Sequence, residues 1–310
     1  MTSVAYLFPG QGAQEVGMGQ DAYQASAQAR AVFDEADALL GFALSKLCFE
    51  GTADELTRTV NAQPAIMVTS MALLAAAREL GEASLGGAPA LVAGHSLGEY
   101  SAVVAAGALP FADALRLVRR RGELMEECGR LAGGTMAAVL GMETEAVFKL
   151  AADAGVEVGN INAPGQATVS GTVEGVLKAM ELAKERGATR VVQLDVSGAF
   201  HSRLMRPAQE GLTTAVAQAP FVDATVPLVG NSTAAIVRSA EDLRLELVNG
   251  LTQPVLWASS VQTMAASGVD LFVEVGAGRV LTGLVRRTVE GARVVNLNSV
   301  AAIQKAASAG

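Results

Sequence analysis

Short apolar runs and longer stretches of helical periodicity alternate along most of the chain. Runs such as 4–8 and 271–275 have the length and composition of buried strands. Stretches such as 22–40, 66–80 and 111–128 place apolar residues at helical spacing. Strands that alternate with helices favour a mostly parallel sheet covered by helices, so the pattern predicts an α/β fold.

A different order of elements occupies residues 130–197. The pattern there predicts strand, helix, strand, strand, helix and strand, over 135–140, 143–154, 156–161, 167–170, 173–186 and 189–194. This β-α-β-β-α-β order is typical of ferredoxin-like α+β units. We therefore predict a small ferredoxin-like subdomain at 130–197, inserted into a large subdomain formed by 1–129 and 198–310.

The composition supports a sizeable apolar core and narrows the class of protein. Hydrophobic residues make up 51% of the 310 residues and aromatic residues only 4%, so aliphatic side chains must fill most of the core. The formal net charge of −8 argues against general nucleic-acid binding. Cys48 and Cys128 lie far apart and form no metal or redox motif, so no metal site is expected.

Nothing in the sequence indicates export or membrane insertion. The first residues lack the basic region and long apolar run of a signal peptide. No apolar run approaches the roughly 18 residues of a transmembrane helix. Two cysteines without a disulfide-like pattern fit a reducing compartment. We therefore expect a cytoplasmic protein that binds no membrane, and we expect it to be a monomer.

The segment Gly94-His-Ser-Leu-Gly98 lies between a predicted strand, 90–93, and a predicted helix, 99–106. A G-x-S-x-G sequence in this setting is typical of a nucleophile elbow, in which a sharp turn projects the serine hydroxyl. The amides at the start of the following helix favour a developing oxyanion. We therefore predict that Ser96 is a nucleophile in a hydrolase-like sheet, although a plain loop would also fit the five residues alone.

A serine nucleophile needs a base, and the chain has only two histidines, His95 and His201. His95 adjoins Ser96, so an elbow would point its side chain away from that of the serine. His201 is then the imidazole that can serve Ser96 as a general base. The order of serine before histidine also agrees with hydrolase-like elbows. Because the predicted insert at 130–197 lies between the two residues in the chain, we expect a ligand cleft at the junction of the two subdomains.

A glycine-rich loop at 9–19 follows the first predicted strand. A dinucleotide-binding fingerprint needs a third glycine three residues after the second. Here Gly12 is followed at that distance by Glu15, whose carboxylate would repel a pyrophosphate. Two interpretations stay open: a loop whose backbone amides approach a reacting centre, and a plain tight turn.

Four arginines lie on the predicted helix 111–128. Arg116, Arg119 and Arg120 share one face, whereas Arg121 is rotated by about 100° from Arg120. An arginine run is usually a solvated face. Arg121 therefore need not be exposed like its neighbours.

Six segments, spread over nearly the whole chain, occur together in a specific order. They are Phe8-Pro-Gly-Gln-Gly-Ala-Gln14, Gly94-His-Ser-Leu-Gly-Glu-Tyr-Ser101, Arg121-Gly122, Asn162-Ala-Pro-Gly-Gln166, Gly198-Ala-Phe-His-Ser202 and Glu274-Val-Gly-Ala-Gly278. As a set they resemble the malonyl-CoA:acyl carrier protein transacylases and the related acyltransferases of polyketide synthases. The resemblance implies transfer of a malonyl group from coenzyme A to the phosphopantetheine thiol of an acyl carrier protein. It implies no cofactor beyond the coenzyme A thioester, which is the substrate.

The resemblance also implies which groups carry out the chemistry. Ser96 would form a malonyl-serine intermediate, with His201 as the general base. The backbone amides of Gln11 and Leu97 would form the oxyanion hole. The carbonyl of Gly250 would support the imidazole in place of an acid.

Three further residues are expected at the substrate. Arg121 would pair with the free malonyl carboxylate, which its planar fork binds bidentately. Asn162 belongs to another matching segment and is also expected to bind substrate. Phe200 would crowd a methyl branch and favour malonyl over methylmalonyl, by about 1–3 kcal/mol. Asp195 is expected to end a strand rather than to join a catalytic triad.

Three alternatives share part of this pattern. A serine esterase or thioesterase has the elbow but no need of Arg121, and water is its acceptor. A discrete acyltransferase of a polyketide synthase or malonate decarboxylase system has the same chemistry and another partner. A non-catalytic nucleotide-binding or scaffold protein would not need the serine and histidine.

Because carrier proteins are acidic, a basic patch is also expected, with candidates Arg119, Arg120, Lys184, Arg190, Arg286 and Arg287.

Overall fold

The computed structural model describes residues 2–309, which form ten strands and fourteen α-helices. The strands are β1 (Val4–Phe8), β2 (Pro89–Gly94), β3 (Thr135–Leu140), β4 (Glu157–Ala163), β5 (Gln166–Gly171), β6 (Arg190–Gln193), β7 (Leu228–Val229), β8 (Ile236–Val237), β9 (Leu271–Val275) and β10 (Arg293–Leu297). The helices are α1 (Gln20–Ala25), α2 (Ala27–Leu40), α3 (Leu44–Glu50), α4 (Ala53–Thr57), α5 (Thr59–Leu80), α6 (Gly98–Ala105), α7 (Phe111–Ala132), α8 (Thr144–Ala154), α9 (Val173–Glu185), α10 (Arg206–Gln218), α11 (Ala240–Asn249), α12 (Trp257–Ala266), α13 (Val280–Thr288) and α14 (Val300–Ala309).

Six strands form one sheet in the order β10-β9-β1-β2-β7-β8. The five strands from β10 to β7 are parallel, and β8 is an antiparallel edge strand. The predicted mostly parallel sheet is therefore confirmed. The central strands β1 and β2 end side by side, with Phe8 opposite Gly94. The loops that follow them consequently meet at one edge of the sheet.

The other four strands form an antiparallel sheet in the order β4-β5-β3-β6. With α8 and α9 they give the β-α-β-β-α-β chain order that the sequence predicts. The subdomain boundaries at 130 and 197 stay a prediction. A parallel bridge between Asn160 and Val255 joins this sheet to the rest of the chain.

Helix α5 begins earlier than the apolar pattern predicts. The expected start was Ile66, after Pro64, whereas the helix begins at Thr59 and contains the proline. Pro64 has no N–H to donate to the carbonyl of Val60, four residues before it. Arg119 Nη1 donates to that carbonyl instead, at 3.0 Å. A side chain of α7 thus supplies a hydrogen bond that no local pattern reveals.

Among the described helices, α5 alone has the length and composition of a membrane span. Its most apolar 18-residue window has a mean hydropathy of 1.4, but 89% of that window is buried inside the protein. Burial of this kind is what a core helix of a globular domain shows.

Three local differences from the predicted elements have simple causes. The stretch 22–40 forms two helices, because the hydroxyl of Ser26 accepts the N–H of Ala29 and caps α2. The two-residue strand β8 is too short to leave a pattern. The pattern also does not predict α14, of whose residues only Ile303 is buried.

Candidate active site

Ser96 lies in a tight turn between β2 and α6. Its φ of 49° is in the left-handed region, which residues with a side chain rarely adopt. The turn also brings backbone into contact on both sides, since a Cβ on Gly94 would overlap Gly98 and one on Gly98 would overlap the carbonyl of Phe8. Glycine is therefore required at both positions, and the predicted strand–turn–helix setting is present.

His201 is within hydrogen-bond distance of the serine. Its Nε2 lies 2.9 Å from Ser96 Oγ. Its Nδ1 lies 2.7 Å from the carbonyl oxygen of Gly250. A carbonyl can only accept, so Nδ1 donates and Nε2 presents its lone pair to the serine hydroxyl. The structure thus brings together three residues that the sequence predicts, in the tautomer that a general base needs.

The surroundings of His201 keep its imidazole neutral. The ring is buried, and the positive charge of Arg121 lies close by. Burial, Arg121 and His95, in that order, lower the pKa of His201 to about 3. The imidazole is therefore unprotonated near neutral pH and free to accept a proton.

Arg121 is buried beside the nucleophile, at 3% exposure. Its Nη2 donates to Ser96 Oγ at 3.1 Å, and its Nη1 donates to Gln63 Oε1 at 2.7 Å. The guanidinium carbon also lies 5.6 Å from the centre of the Tyr100 ring. The helical phase predicted from the sequence is correct, because the other three arginines of the predicted run, Arg116, Arg119 and Arg120, are far more exposed.

A cavity of about 330 Å³ opens onto these groups. It is lined by Gln11, Gly12, Gln14, Thr57, His95, Ser96, Arg121, Met125, Met136, Asn160, Leu194, Asp195, Val196, Phe200 and His201. Residues of β3, β4 and the segment after β6 form one wall, and the loops after β1 and β2 form another. The cavity therefore lies between the two sheets, at the predicted junction.

The glycine-rich loop 9–19 lies in direct contact with the backbone of the elbow at His95. A Cβ on Gly10 would overlap the carbonyl of His95, so only glycine allows this approach. Within residues 2–309, the backbone N–H groups of Gln11 and Leu97 donate to no other protein group. Of the two interpretations of the loop, the approach to a reacting centre is the one that fits.

The remaining predicted residues fall in different places. Phe200 lines the cavity, whereas Asn162 does not. Asn162 Oδ1 instead lies 2.8 Å from Nε2 of His95, whose ring still reaches the cavity wall. Asn160, two residues earlier in β4, lines the cavity. Asp195 also lines it, but Nδ1 of His201 is bonded to the carbonyl of Gly250 and not to this carboxylate.

None of the six candidate basic residues lines the cavity. Arg119 and Arg120 both pair with Glu123, at 3.0 and 3.5 Å. Arg287 Nη1 donates to Gln166 Oε1. Arg119 and Arg120 are thus paired with a carboxylate one turn along the same helix, a spacing that the sequence itself contains.

Two polar residues that the sequence does not predict form hydrogen bonds with Arg121 and Ser96. Gln63 is fully buried and holds Arg121. Asn231 accepts the backbone N–H of Ser96 through Oδ1, at 2.7 Å. A polar residue inside an otherwise apolar helix is a signal that could have singled out Gln63. Asn231 has no comparable local signal, because its partner is far away in the sequence.

Comparison with known proteins identifies the family of this arrangement. The acyl transferase domain family matches residues 5–310. A malonyl CoA-acyl carrier protein transacylase from Bacillus subtilis is 47% identical over 292 residues, which cover 93% of this chain and 90% of that protein. A protein of the same name from Escherichia coli K12 is 41% identical over 310 residues and 99% of each chain. The chain belongs to the malonyl CoA-acyl carrier protein transacylase family.

Solved structures of this transacylase family share the fold throughout. An acyl-carrier-protein-S-malonyltransferase from Bartonella henselae has a TM-score of 0.94 and 37% identity, with 99% of both chains covered. A malonyl-transacylase in complex with its type II polyketide synthase acyl-carrier protein has a TM-score of 0.94 and 36% identity, with 100% of both chains covered. The predicted resemblance to the transacylase family and the predicted α/β fold are both confirmed.

Proposed function

We propose that the protein transfers a malonyl group from coenzyme A to the phosphopantetheine thiol of an acyl carrier protein. The observation that carries this proposal is the buried Arg121, with Nη2 3.1 Å from Ser96 Oγ. A fixed positive charge beside the nucleophile favours an acyl group that has a carboxylate of its own, and the planar guanidinium suits bidentate pairing. The names of the transacylase relatives support the same activity.

Acylation of the serine would be the first half of the reaction. Ser96 Oγ attacks the thioester carbonyl while His201 Nε2 takes the hydroxyl proton. The backbone amides of Gln11 and Leu97 stabilise the oxyanion, a type of contact whose loss costs about 10²–10³-fold in rate. The C–S bond then breaks, and His201 returns the proton to the departing thiolate of coenzyme A. The carbonyl of Gly250 holds the imidazolium through its Nδ1–H.

Transfer to the carrier would reverse these roles. The phosphopantetheine thiol gives its proton to His201 and attacks the malonyl ester on Ser96. The tetrahedral intermediate uses the same two amides. Its collapse breaks the ester C–O bond, and the imidazolium protonates the serine oxygen. Arg121 holds the malonyl carboxylate through both halves, which fixes the acyl group while the two thiols exchange.

Two residues would define the acyl pocket in addition to Arg121. Phe200 packs beside the catalytic histidine, 6% exposed, where a methyl branch on the malonyl α-carbon would meet its ring. This favours malonyl over methylmalonyl. Asn162 stays a predicted substrate-binding residue, although its side chain contacts His95 rather than the cavity.

Two competing functions predict different acceptors. An esterase or thioesterase would pass the acyl group to water and would not need a buried arginine beside the serine. A discrete acyltransferase of a polyketide synthase or malonate decarboxylase system would use the same steps with another carrier. This second function stays an alternative. One similar structure, at 36% identity, is a malonyl-transacylase in complex with its type II polyketide synthase acyl-carrier protein.

The decisive experiment is intact-protein mass spectrometry of the purified chain after mixing with malonyl-CoA or acetyl-CoA. We expect a malonyl adduct that is absent from Ser96→Ala and that disappears when a holo-acyl carrier protein is added. Parallel reactions with fatty-acid and polyketide carriers identify the partner. An adduct that is lost to water at the same rate with or without carrier would overturn the transferase assignment in favour of a thioesterase.

We also propose that the protein acts in the cytoplasm as a monomer. Cys48 and Cys128 are free and buried, which suits a reducing compartment. Light scattering during gel filtration measures the oligomeric state directly, and a mass of twice 31.6 kDa would show a dimer instead.

A further inference from the structure

The side chain of Asn231 forms two hydrogen bonds with the backbone of the turn that contains Ser96. Asn231 lies just after β7 and is 1% exposed. Its Oδ1 accepts the backbone N–H of Ser96 at 2.7 Å, and its Nδ2 donates to the carbonyl of Gly94 at 2.6 Å. A single planar amide thus binds the backbone on both sides of His95.

The backbone of Ser96 has a specific need for this contact. Its left-handed conformation is an uncommon one for a residue with a side chain. Its N–H has no other acceptor within residues 2–309. A buried N–H without a partner would disfavour the turn that projects Oγ toward the imidazole. The amide offers the acceptor for the N–H and the donor for the carbonyl in one plane, whereas an ionised carboxylate of the same size has acceptors only.

Asn231 is itself fixed by the element that follows the serine. Its backbone N–H donates to Glu99 Oε1 at 2.9 Å, and its carbonyl accepts the N–H of Leu256 at 2.7 Å. Glu99 is buried at 3% exposure in the first turn of α6. The hydrogen bonds therefore run from the elbow to Asn231 and back to the helix that begins at the elbow.

We propose that Asn231, held by Glu99, is a positioning residue that keeps Ser96 in its nucleophilic conformation. Asn231 does not line the cavity, and its side chain acts through the backbone of Gly94 and Ser96. This inference deepens the proposed function and rests on it for the physiological donor, but the reactivity of Ser96 can be measured without that donor.

The test compares Asn231→Asp and Asn231→Ala with the wild type in two assays. The first is the rate at which a fluorophosphonate probe labels Ser96, and the second is acylation by malonyl-CoA followed by mass spectrometry. Asn231→Asp keeps the side-chain volume but, once ionised, sets an oxygen against the Gly94 carbonyl, so it is assayed from neutral to alkaline pH and carries the test should Asn231→Ala fail to fold. A displacement of about 1 Å costs about 10²-fold in rate.

We expect labelling and kcat for acylation to fall about ten- to hundredfold in Asn231→Asp. KM for malonyl-CoA and the preference for malonyl over acetyl should stay within about twofold of wild type, because Arg121 and the cavity are unchanged. The matched control is Asn296→Ala. Nδ2 of Asn296 donates to the Glu274 carboxylate and to the Gly278 carbonyl, so this variant likewise removes a side-chain amide with two hydrogen bonds. Its labelling rate should equal that of wild type.

Three results would overturn the inference: wild-type labelling in folded Asn231→Asp, a rise in KM at unchanged kcat, or equal slowing in Asn296→Ala. A wild type that reacts with the fluorophosphonate but not with malonyl-CoA would instead refute the proposed function. The role of Asn231 would then be decided by the labelling rates alone.

Discussion

At the residue scale, the active site depends on one buried charge with two hydrogen-bond partners. Arg121 Nη1 is held by Gln63 at 2.7 Å, which leaves Nη2 directed at the serine. The resemblance predicts the role of Arg121, whereas helical phase indicates only that it need not be exposed like its neighbours. The sequence does not predict Gln63, because that contact joins residues 58 positions apart on two different helices.

We therefore expect Gln63→Ala to weaken the selection of malonyl. Without the side-chain oxygen Oε1 of Gln63, the guanidinium of Arg121 loses its fixed orientation, and bidentate pairing with the malonyl carboxylate becomes less favourable. The ratio of kcat/KM for malonyl-CoA to that for acetyl-CoA should fall about tenfold, which corresponds to about 1.4 kcal/mol. Arg121→Ala is the reference for complete loss of selection. An unchanged ratio in Gln63→Ala would show that Arg121 keeps its orientation without the hydrogen bond to Gln63.

The pH dependence of acylation tests the environment of His201. Only the neutral imidazole accepts a proton, and burial together with the Arg121 charge lowers the pKa of His201 to about 3. Activity should therefore be lost only as the pH falls toward that pKa, and kcat/KM for acylation should be nearly constant from pH 7.5 to pH 5. In Arg121→Ala, with acetyl-CoA as the donor, the acid limb should move to higher pH. A half-loss near pH 6.5 in wild type would contradict this assignment.

At the element scale, the sequence predicts best what depends on neighbouring residues. The strand, turn and helix around Ser96, for example, follow from the local pattern of residues. The early start of α5 depends instead on Arg119, 55 positions after Pro64, and no local rule contains it. Long-range hydrogen bonds account for the misplaced start of this helix.

Gly98 at the elbow should be far more sensitive to substitution than a glycine with open space around it. A Cβ on Gly98 would overlap the backbone carbonyl of Phe8, which cannot rotate away. Gly98→Ala should lower the free energy of unfolding by about 1–3 kcal/mol or more. Gly283, inside α13, is the matched control, because its Cβ would meet only the end of Arg287 at 3.7 Å.

Calorimetry measures the two variants side by side. Gly283→Ala should raise stability by about 0.4–1 kcal/mol, since alanine has the better helix propensity and restricts the unfolded chain. Similar melting temperatures for the two variants would show that the contact between the elbow and β1 is not as close as described.

At the scale of the whole molecule, a backbone bridge at the cavity-lining residue Asn160 links the antiparallel sheet to the segment before α12. The N–H of Ile161 donates to the carbonyl of Val255 at 2.8 Å, and the N–H of Val255 donates to the carbonyl of Gly159 at 2.9 Å. Val255 lies five residues after Gly250, the partner of His201. The sequence predicts an inserted unit and a cleft at its junction, but not this bridge, because pairing between distant segments leaves no periodic pattern.

Asn162 makes the second polar link across that junction, to the elbow residue His95. If this link is its role, Asn162→Ala should lower the free energy of unfolding by about 0.5–1.5 kcal/mol, because the half-buried imidazole of His95 loses its hydrogen-bond partner. KM for malonyl-CoA should then stay within about twofold, since the side chain does not line the cavity. Asn160→Ala, on the same strand but at the cavity wall, should change KM instead. A large rise in KM for Asn162→Ala at unchanged stability would establish direct substrate binding and would show that the cavity extends to this residue when the thioester is bound.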